Sequence, residues 1–384
     1  MNNYAKAISK GGSANVYLIS TVNFCENEEM IQFGEGIFTS KEKNNVVSPS
    51  GFSQIKRNFQ FAQSVNRWRK KLDTDVVFLV YPTIDFSFEF FLWYFLKFLS
   101  GQSVFVEINE VYKSTINESY INSGFIRKLF LISAIKWLFD YLRFSFSEIF
   151  SSRFDGLVCI SSTIASYYKP YNENIEVIPV LSDFDDPEFN YSGCKNGFKM
   201  VFTGFIRVQK ENLTEFLLAL AVLDKTQHNW SFDMCGPLSA TDEKIIHNLL
   251  IRHKIASKVH ILGILNYDEV LKLQRDATLL VSLRSNNKMN YYNFPTKLSE
   301  YAVSGTPILM TDTGVVSDFF RDNFNCYMVD GYKCRNFYDK LLTVLSADDS
   351  ERRRIAQNAY RTALDNFEYG RYSGVLSSFF KLEA

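Results

Sequence analysis

Neither sign of charge prevails in this chain. Its 42 lysines and arginines are matched by 42 aspartates and glutamates, a formal net charge of zero over 384 residues. A general nucleic-acid binder would instead carry a concentrated basic surplus. Cysteine is sparse: Cys25, Cys159, Cys194, Cys235, Cys326 and Cys334 form no C-x-x-C pair and no Cys/His cluster. That pattern offers neither a zinc site nor a disulfide framework, and it fits a reducing cytoplasm. Histidine is rarer still, four in all and none before His228, so no imidazole from the first half can serve as a catalytic group. Long apolar runs are lacking too. The longest, "FSFEFFLWYFLKFLSG" (86–101), contains Glu89 and Lys97 and falls short of a bilayer span. Asn2, Asn3, Lys6 and Lys10 interrupt any signal-peptide core. A soluble cytoplasmic protein is expected, or one peripheral to the cytoplasmic membrane face. No G-x-G-x-x-G follows a strand, which counts against a nicotinamide oxidoreductase.

What is present is a globular composition, 46% hydrophobic with 22% charged residues, in a chain longer than one core usually grows. The second half alternates short apolar runs (199–204, 230–236, 259–263, 278–284, 307–312 and 326–330) with helix-period segments (211–225, 241–254, 267–276 and 296–304). Fully apolar strands in such alternation predict a parallel sheet covered on both faces. The first half repeats this more loosely, at 15–20, 76–82, 103–109, 156–161 and 175–180. The expected class is therefore α/β, with two doubly wound Rossmann-like domains facing across a cleft. They span 1–185 and 186–366 and meet near the acidic joint "LSDFDDPEFNYSG" (181–193). Residues 350–366 and 370–382 look helical, and the segment 367–384 is expected to pack back toward the N-terminal domain. The chain opens on "NNYAKAISKGG", a helix with a glycine stop, where such a domain usually opens on a strand. Either a first strand is missing, through truncation or a misplaced start, or the domain begins on a helix; the former is favoured.

Two stretches could carry chemistry. In "NYYNFPTKLSEYAVSGTPILMTDTG" (290–314), Pro295 suits the first position of a helix and Gly305 its stop, with Pro307 beyond. The amides of Thr296, Lys297 and Leu298 would then be free to bind an anion. Glu300 would stand roughly 7 Å further along the axis, where a carboxylate meets the ribose diol of a bound nucleotide. A solvated helix face is the plain alternative. In "VFTGFIRVQKENLTEFLLAL" (201–220), an apolar strand ends at Gly204 and a loop presents Arg207 and Lys210. Two cations there can neutralise a diphosphate leaving group; solvated loop charges are the alternative.

Together these stretches resemble the glycosyltransferases of family 4, of the GT-B fold. The family's "G-R-L-x-x-x-K-G" loop is matched by "GFIRVQKE". Its "E-G-F-G-L-x-x-x-E-A-x-A-x-G-x-P-V" segment is matched by "YYNFPTKLSEYAVSGTPI". The nearest flavour is the "F-P-S-K-L-x-E-Y-x-A-S-G-x-P-I" subgroup of bacterial surface-polysaccharide transferases. The resemblance implies that Glu300 holds the donor ribose and Lys210 its diphosphate. Thr296, Lys297 and Leu298 would face that diphosphate, and Ile264 and Leu265 would touch the base. Gly204, Arg207, Asn293 and Phe294 complete the implied donor site. Three positions depart from the family: Phe205 replaces an arginine, Tyr292 replaces a sugar-contacting glutamate whose role would be lost or pass to Asn293, and Asn109 stands where a histidine often follows the strand. Glu107 and Glu110 are then the N-terminal candidates, as acceptor ligands or a weak base, or else simply solvated strand-end carboxylates.

The implied activity is transfer, with retention, of a sugar from a nucleoside diphosphate donor to a glycan or polyprenyl-linked acceptor in bacterial surface polysaccharide synthesis (capsule or O-antigen). The alternative is a catalytically impaired relative that binds nucleotide sugar or glycan without turnover. No metal and no other cofactor are expected, since "DFDD" (183–186) reads as linker, and no nucleic acid is expected as partner. The segment 123–150 mixes apolar residues with Arg127, Lys128, Lys136 and Arg143. It reads either as a helix lying in a membrane interface or as a buried helical hairpin.

Overall fold

The computed structural model describes residues 2–10, 14–18, 30–34, 37–40, 52–72, 76–80, 86–114, 116, 131–184, 188–193, 197–226 and 228–382. Arg127, Lys128 and part of "DFDD" lie outside the described residues. The chain divides into two compact units, one of residues 1–181 with 369–384 and the other of residues 182–368.

The first unit begins on a helix, α1 (Asn2–Lys10). Three short strands follow: β1 (Val16–Leu18), β2 (Met30–Gly34) and β3 (Ile37–Ser40). They form a separate sheet in the order β1-β3-β2, in which β3 pairs parallel to β1 and antiparallel to β2. The hairpin of β2 and β3 was not anticipated from the sequence. Helices α2 (Phe52–Arg69) and α3 (Phe86–Ser100) flank β4 (Phe78–Val80). Next come β5 (Val104–Ile108), the long helix α4 (Leu131–Phe150), β6 (Gly156–Cys159), α5 (Ser162–Tyr168) and β7 (Ile175–Val177). Strands β4 to β7 pair in sequence order, all parallel.

The second unit is the more regular. Its helices and strands alternate: β8 (Phe198–Thr203), α6 (Leu213–Asp224), β9 (Trp230–Cys235), α7 (Ala240–His253), β10 (Val259–Gly263), α8 (Tyr267–Arg275) and β11 (Leu279–Ser282). Then follow α9 (Lys288–Tyr292), α10 (Lys297–Val303), β12 (Ile308–Thr311), β13 (Tyr327–Val329), α11 (Cys334–Ser346) and α12 (Asp349–Asn366). The six strands form one parallel sheet in the order β10-β9-β8-β11-β12-β13. That order winds outward in both directions from β8, so the sheet reverses its direction of growth between β8 and β11. Dinucleotide-binding sheets place their ligands at the carboxyl ends of the strands at such a reversal.

Local chemistry sets the elements. Every residue of β11 and β12 is buried, as strands covered on both faces require. Ser239 caps α7, Asp348 caps α12, and a reciprocal capping box of Asn266 and Glu269 opens α8. Phe216 of α6 packs edge-on against Phe232 and Phe337 in the core. The last helix, α13 (Ser373–Phe379), returns the chain to the first unit. There Leu376 and Phe380 join Tyr4, Ile8, Phe105 and Val158 in one apolar cluster.

Candidate active site

The carboxyl ends of β8, β9, β10 and β11 open on a cavity of about 430 Å³. Gly204, Phe205, Arg207, Lys210 and Glu211 reach it from the loop after β8. Cys235, Gly236 and Pro237 reach it after β9, Ile264 and Leu265 after β10, and Arg284 after β11. Thr296, Lys297 and Glu300 face it from the start of α10. The two glycines let the loops after β8 and β9 meet. Gly204 and Gly236 take φ of +114° and +139°, and a Cβ on Gly236 would stand 2.0 Å from the carbonyl oxygen of Gly204.

Charge is concentrated on one wall. Lys297 Nζ lies 3.3 Å from Glu211 Oε2 and 3.7 Å from the centroid of the Phe202 ring, a buried ion pair combined with a cation–π contact. Burial holds the Lys297 ammonium down to about 8, with Glu211 opposing that shift and Arg284 adding to it. Arg284 is 6% exposed and Glu211 3%, with Arg284 Nε 3.5 Å from Glu211 Oε1. The Lys210 carbonyl accepts hydrogen bonds from the Ser285 amide (3.1 Å) and from Asn290 Nδ2 (3.3 Å), which ties the loops after β8 and β11 together. Glu300 has exposed surface inside the cavity mouth, yet enough protein surrounds its carboxyl that desolvation raises it above the usual carboxylate range; Lys297 partly opposes the rise. Ile264, Leu265, Pro237 and Val270 contribute an apolar part of the lining.

The structure thus gathers Gly204, Arg207, Lys210, Ile264, Leu265, Thr296, Lys297 and Glu300 around one cavity. It does not bring Leu298, Asn293 and Phe294 to that wall. The Leu298 amide donates to the Pro295 carbonyl at 2.9 Å, and its side chain is buried. It is therefore not a free anion donor, because α10 starts two residues after Pro295 with a tight turn. Phe294 is core, packed against Phe319 and Phe367. Asn293 ends α9, and Tyr292 stacks edge-on with Tyr291. Arg207 lies 5.4 Å from the ring of the exposed Phe205, so the cation two positions along does reach the cavity that Phe205 lines. Glu107 and Glu110 belong to the first unit. Glu107 is not a solvated carboxylate: it is 5% exposed on β5, its Oε2 has no hydrogen-bond partner, and burial pushes its carboxyl up to about 7. Glu110 is half-buried just beyond the strand. Glu211 and Arg284 were not foreseen, although one follows Lys210 directly and the other ends the apolar run "LLVSLR".

Comparison with known proteins supplies the context. The sequence has no match among curated proteins. Residues 195–362 match the model of the family described as "Glycosyl transferases group 1". Among solved structures the chain is similar to the sucrose-phosphate synthase of Thermosynechococcus elongatus, at 9% identity and a TM-score of 0.71 over 98% of this chain and 91% of that one. It is also similar to HepE of Anabaena in complex with UDP and glucose, at 13% identity and a TM-score of 0.65 over 90% and 85%. WaaG, a glycosyltransferase involved in lipopolysaccharide biosynthesis, aligns at 14% identity and a TM-score of 0.62 over 99% and 94%. Residues 195–362 thus match a glycosyl transferases group 1 domain, and the chain has the GT-B fold of these solved structures.

Proposed function

We propose that this chain transfers a sugar, with retention of configuration, from a nucleoside diphosphate sugar to a glycan or polyprenyl-linked acceptor in bacterial surface-polysaccharide synthesis. The observation that carries the reading is the convergence of Arg207, Lys210, Arg284 and Lys297 with Glu300 on one cavity at the strand-order reversal. The cations match a diphosphate, whose charge grows as it leaves, and fixed charges in a partly dry site stabilise that change without reorganising. Glu300 suits the ribose diol, and the apolar lining of Ile264 and Leu265 suits a base. In front-face transfer the donor's own phosphate accepts the acceptor proton, so positioning and charge suffice without a protein imidazole. The proposal includes no metal: the chain's own cations carry the diphosphate charge. The UDP and glucose in the HepE structure and the involvement of WaaG in lipopolysaccharide biosynthesis support the donor class and the pathway class.

A thermal-shift screen of nucleotide sugars tests the donor, since a ligand at one hundred times its Kd adds about 2.7 kcal/mol of apparent stability. The reading expects a shift with at least one nucleoside diphosphate sugar, followed by transfer or slow donor hydrolysis; binding without either would mark a catalytically impaired relative.

The proposal extends to peripheral contact with the cytoplasmic membrane face. No helix among the described residues is long and apolar enough to cross a membrane. Yet α4 leaves Ile135, Leu138, Phe139, Leu142, Phe146 and Ile149 exposed along one face, beside the exposed Lys136. Such a stripe fits a helix lying in the interface, where polyprenyl-linked acceptors reside. Flotation with anionic liposomes should carry the protein upward; retention in the soluble fraction would contradict the contact.

A further inference from the structure

We propose that Glu211 is a positioning residue of the donor site: its buried carboxylate holds the Lys297 ammonium and the Arg284 guanidinium side by side on the cavity wall and keeps Lys297 charged for the donor diphosphate. The inference rests on the donor-site reading above. Glu211 sits between the two cations, 3.3 Å from one and 3.5 Å from the other. A buried carboxylate is costly unless paired, and here it is paired twice. Arg284 is only loosely satisfied. Its Nη1 donates to Asn290 Oδ1 at 3.4 Å, while its buried Nε faces Glu211 Oε1 at 3.5 Å without a hydrogen bond, so Glu211 holds it by charge alone.

Lys297 needs this arrangement. The groups that face it are Glu211 and Lys210 from the loop after β8, Arg284 from the end of β11, and Glu300 on its own helix. Burial, Arg284 and Lys210 all favour the neutral amine, and Glu211 opposes them most directly. Without the Glu211 charge, Lys297 would lose its proton at lower pH and cease to attract phosphate. As a stabilising device such a pair is weak, because desolvation offsets most of its attraction; as a means of keeping a dry lysine charged it is effective.

The test uses the full chain and, as probe, whichever of UDP, GDP, ADP and TDP binds it most tightly, with affinity measured from pH 6.5 to 9.5. Wild type should lose affinity with a midpoint near the Lys297 value of about 8. Glu211→Gln should move that midpoint down by about one unit. Lys297→Arg, whose charge persists at all these pH values, should show no alkaline loss, and the double variant Lys297→Arg with Glu211→Gln should stay equally flat. An unmoved midpoint in Glu211→Gln, or an equal loss at every pH, would overturn the role. If the single variant fails to fold, alkaline loss returning in the double variant overturns it instead.

Thermal stability without ligand separates this inference from the donor reading. A lysine lowered to about 8 from 10.5 adds stability as pH rises between those values. Glu211→Gln should start that rise at lower pH. A wild type that binds none of UDP, GDP, ADP and TDP overturns the donor reading, and the stability curve still decides the Glu211–Lys297 coupling: an unchanged onset overturns it.

Discussion

At the scale of the residue, Glu300 and Glu107 put two raised carboxyls to different uses. Glu300 faces the cavity, and Glu300→Ala should weaken nucleoside diphosphate binding by about 1–3 kcal/mol, the worth of a charge-assisted contact to a diol. Titration calorimetry on both proteins measures this, and unchanged affinity would remove the ribose assignment. Glu107 is buried with an unpartnered oxygen and a carboxyl raised from 4.5 to about 7. The folded state therefore holds a proton that the unfolded state has lost, so stability falls as pH rises from 4.5 to about 7 and is level above. Glu107→Gln, an isostere of the protonated acid, should match wild type near pH 4.5 and exceed it at pH 8 by at most about 3 kcal/mol. Melting curves at the two pH values decide it. The cavity residues that follow a strand end or open a helix, such as Lys210 and Glu300, were legible as neighbours because short patterns fix where those loops point. Glu211 and Arg284 were not. Their pairing, and the contact between Lys297 and Glu211 across 86 positions of chain, exists only once β8 and β11 lie side by side.

At the scale of the element, the loops after β8 and β9 depend on Gly204 and Gly236. Gly236→Ala adds a methyl 2.0 Å from the Gly204 carbonyl oxygen at a φ of +139°, and should cost roughly 2–4 kcal/mol. Gly263, at φ +71° with open space around it, is the control: Gly263→Ala carries only backbone strain, about 1 kcal/mol. Urea midpoints of the two variants should separate accordingly, and equal losses would mean that the close approach is not a constraint. The helix after Pro295 was legible in place but not in length. Its stop at Gly305 is where the pattern put it, because a Cβ there would meet the Asn190 carbonyl at 2.0 Å. Its start slips past Pro295 because the Pro295 carbonyl takes up the Leu298 amide. The hairpin of β2 and β3 went unread although the sequence reads "GEG" between its two apolar runs. Its strands are short, and the β1-β3 pairing beside it is set by topology, which local alternation does not encode.

At the scale of the whole molecule, the second unit was readable as a doubly wound domain because each of its strands is an apolar run bounded by turn residues. The strand order around β8 was not in that pattern, and it is the order that gathers loops from 204, 236, 264 and 284 around one cavity. The first unit was less legible, since its strands are shorter and divide between two sheets. On the proposed function, this cavity holds the diphosphate of a sugar nucleotide. Calorimetric titration of UDP-, GDP-, ADP- and TDP-sugars into wild type and Lys210→Ala tests it most directly. The predicted result is saturable one-to-one binding of at least one of these donors, weakened about tenfold or more by the loss of the lysine. The contradicting result is no binding of any of them, or binding that Lys210→Ala leaves unchanged.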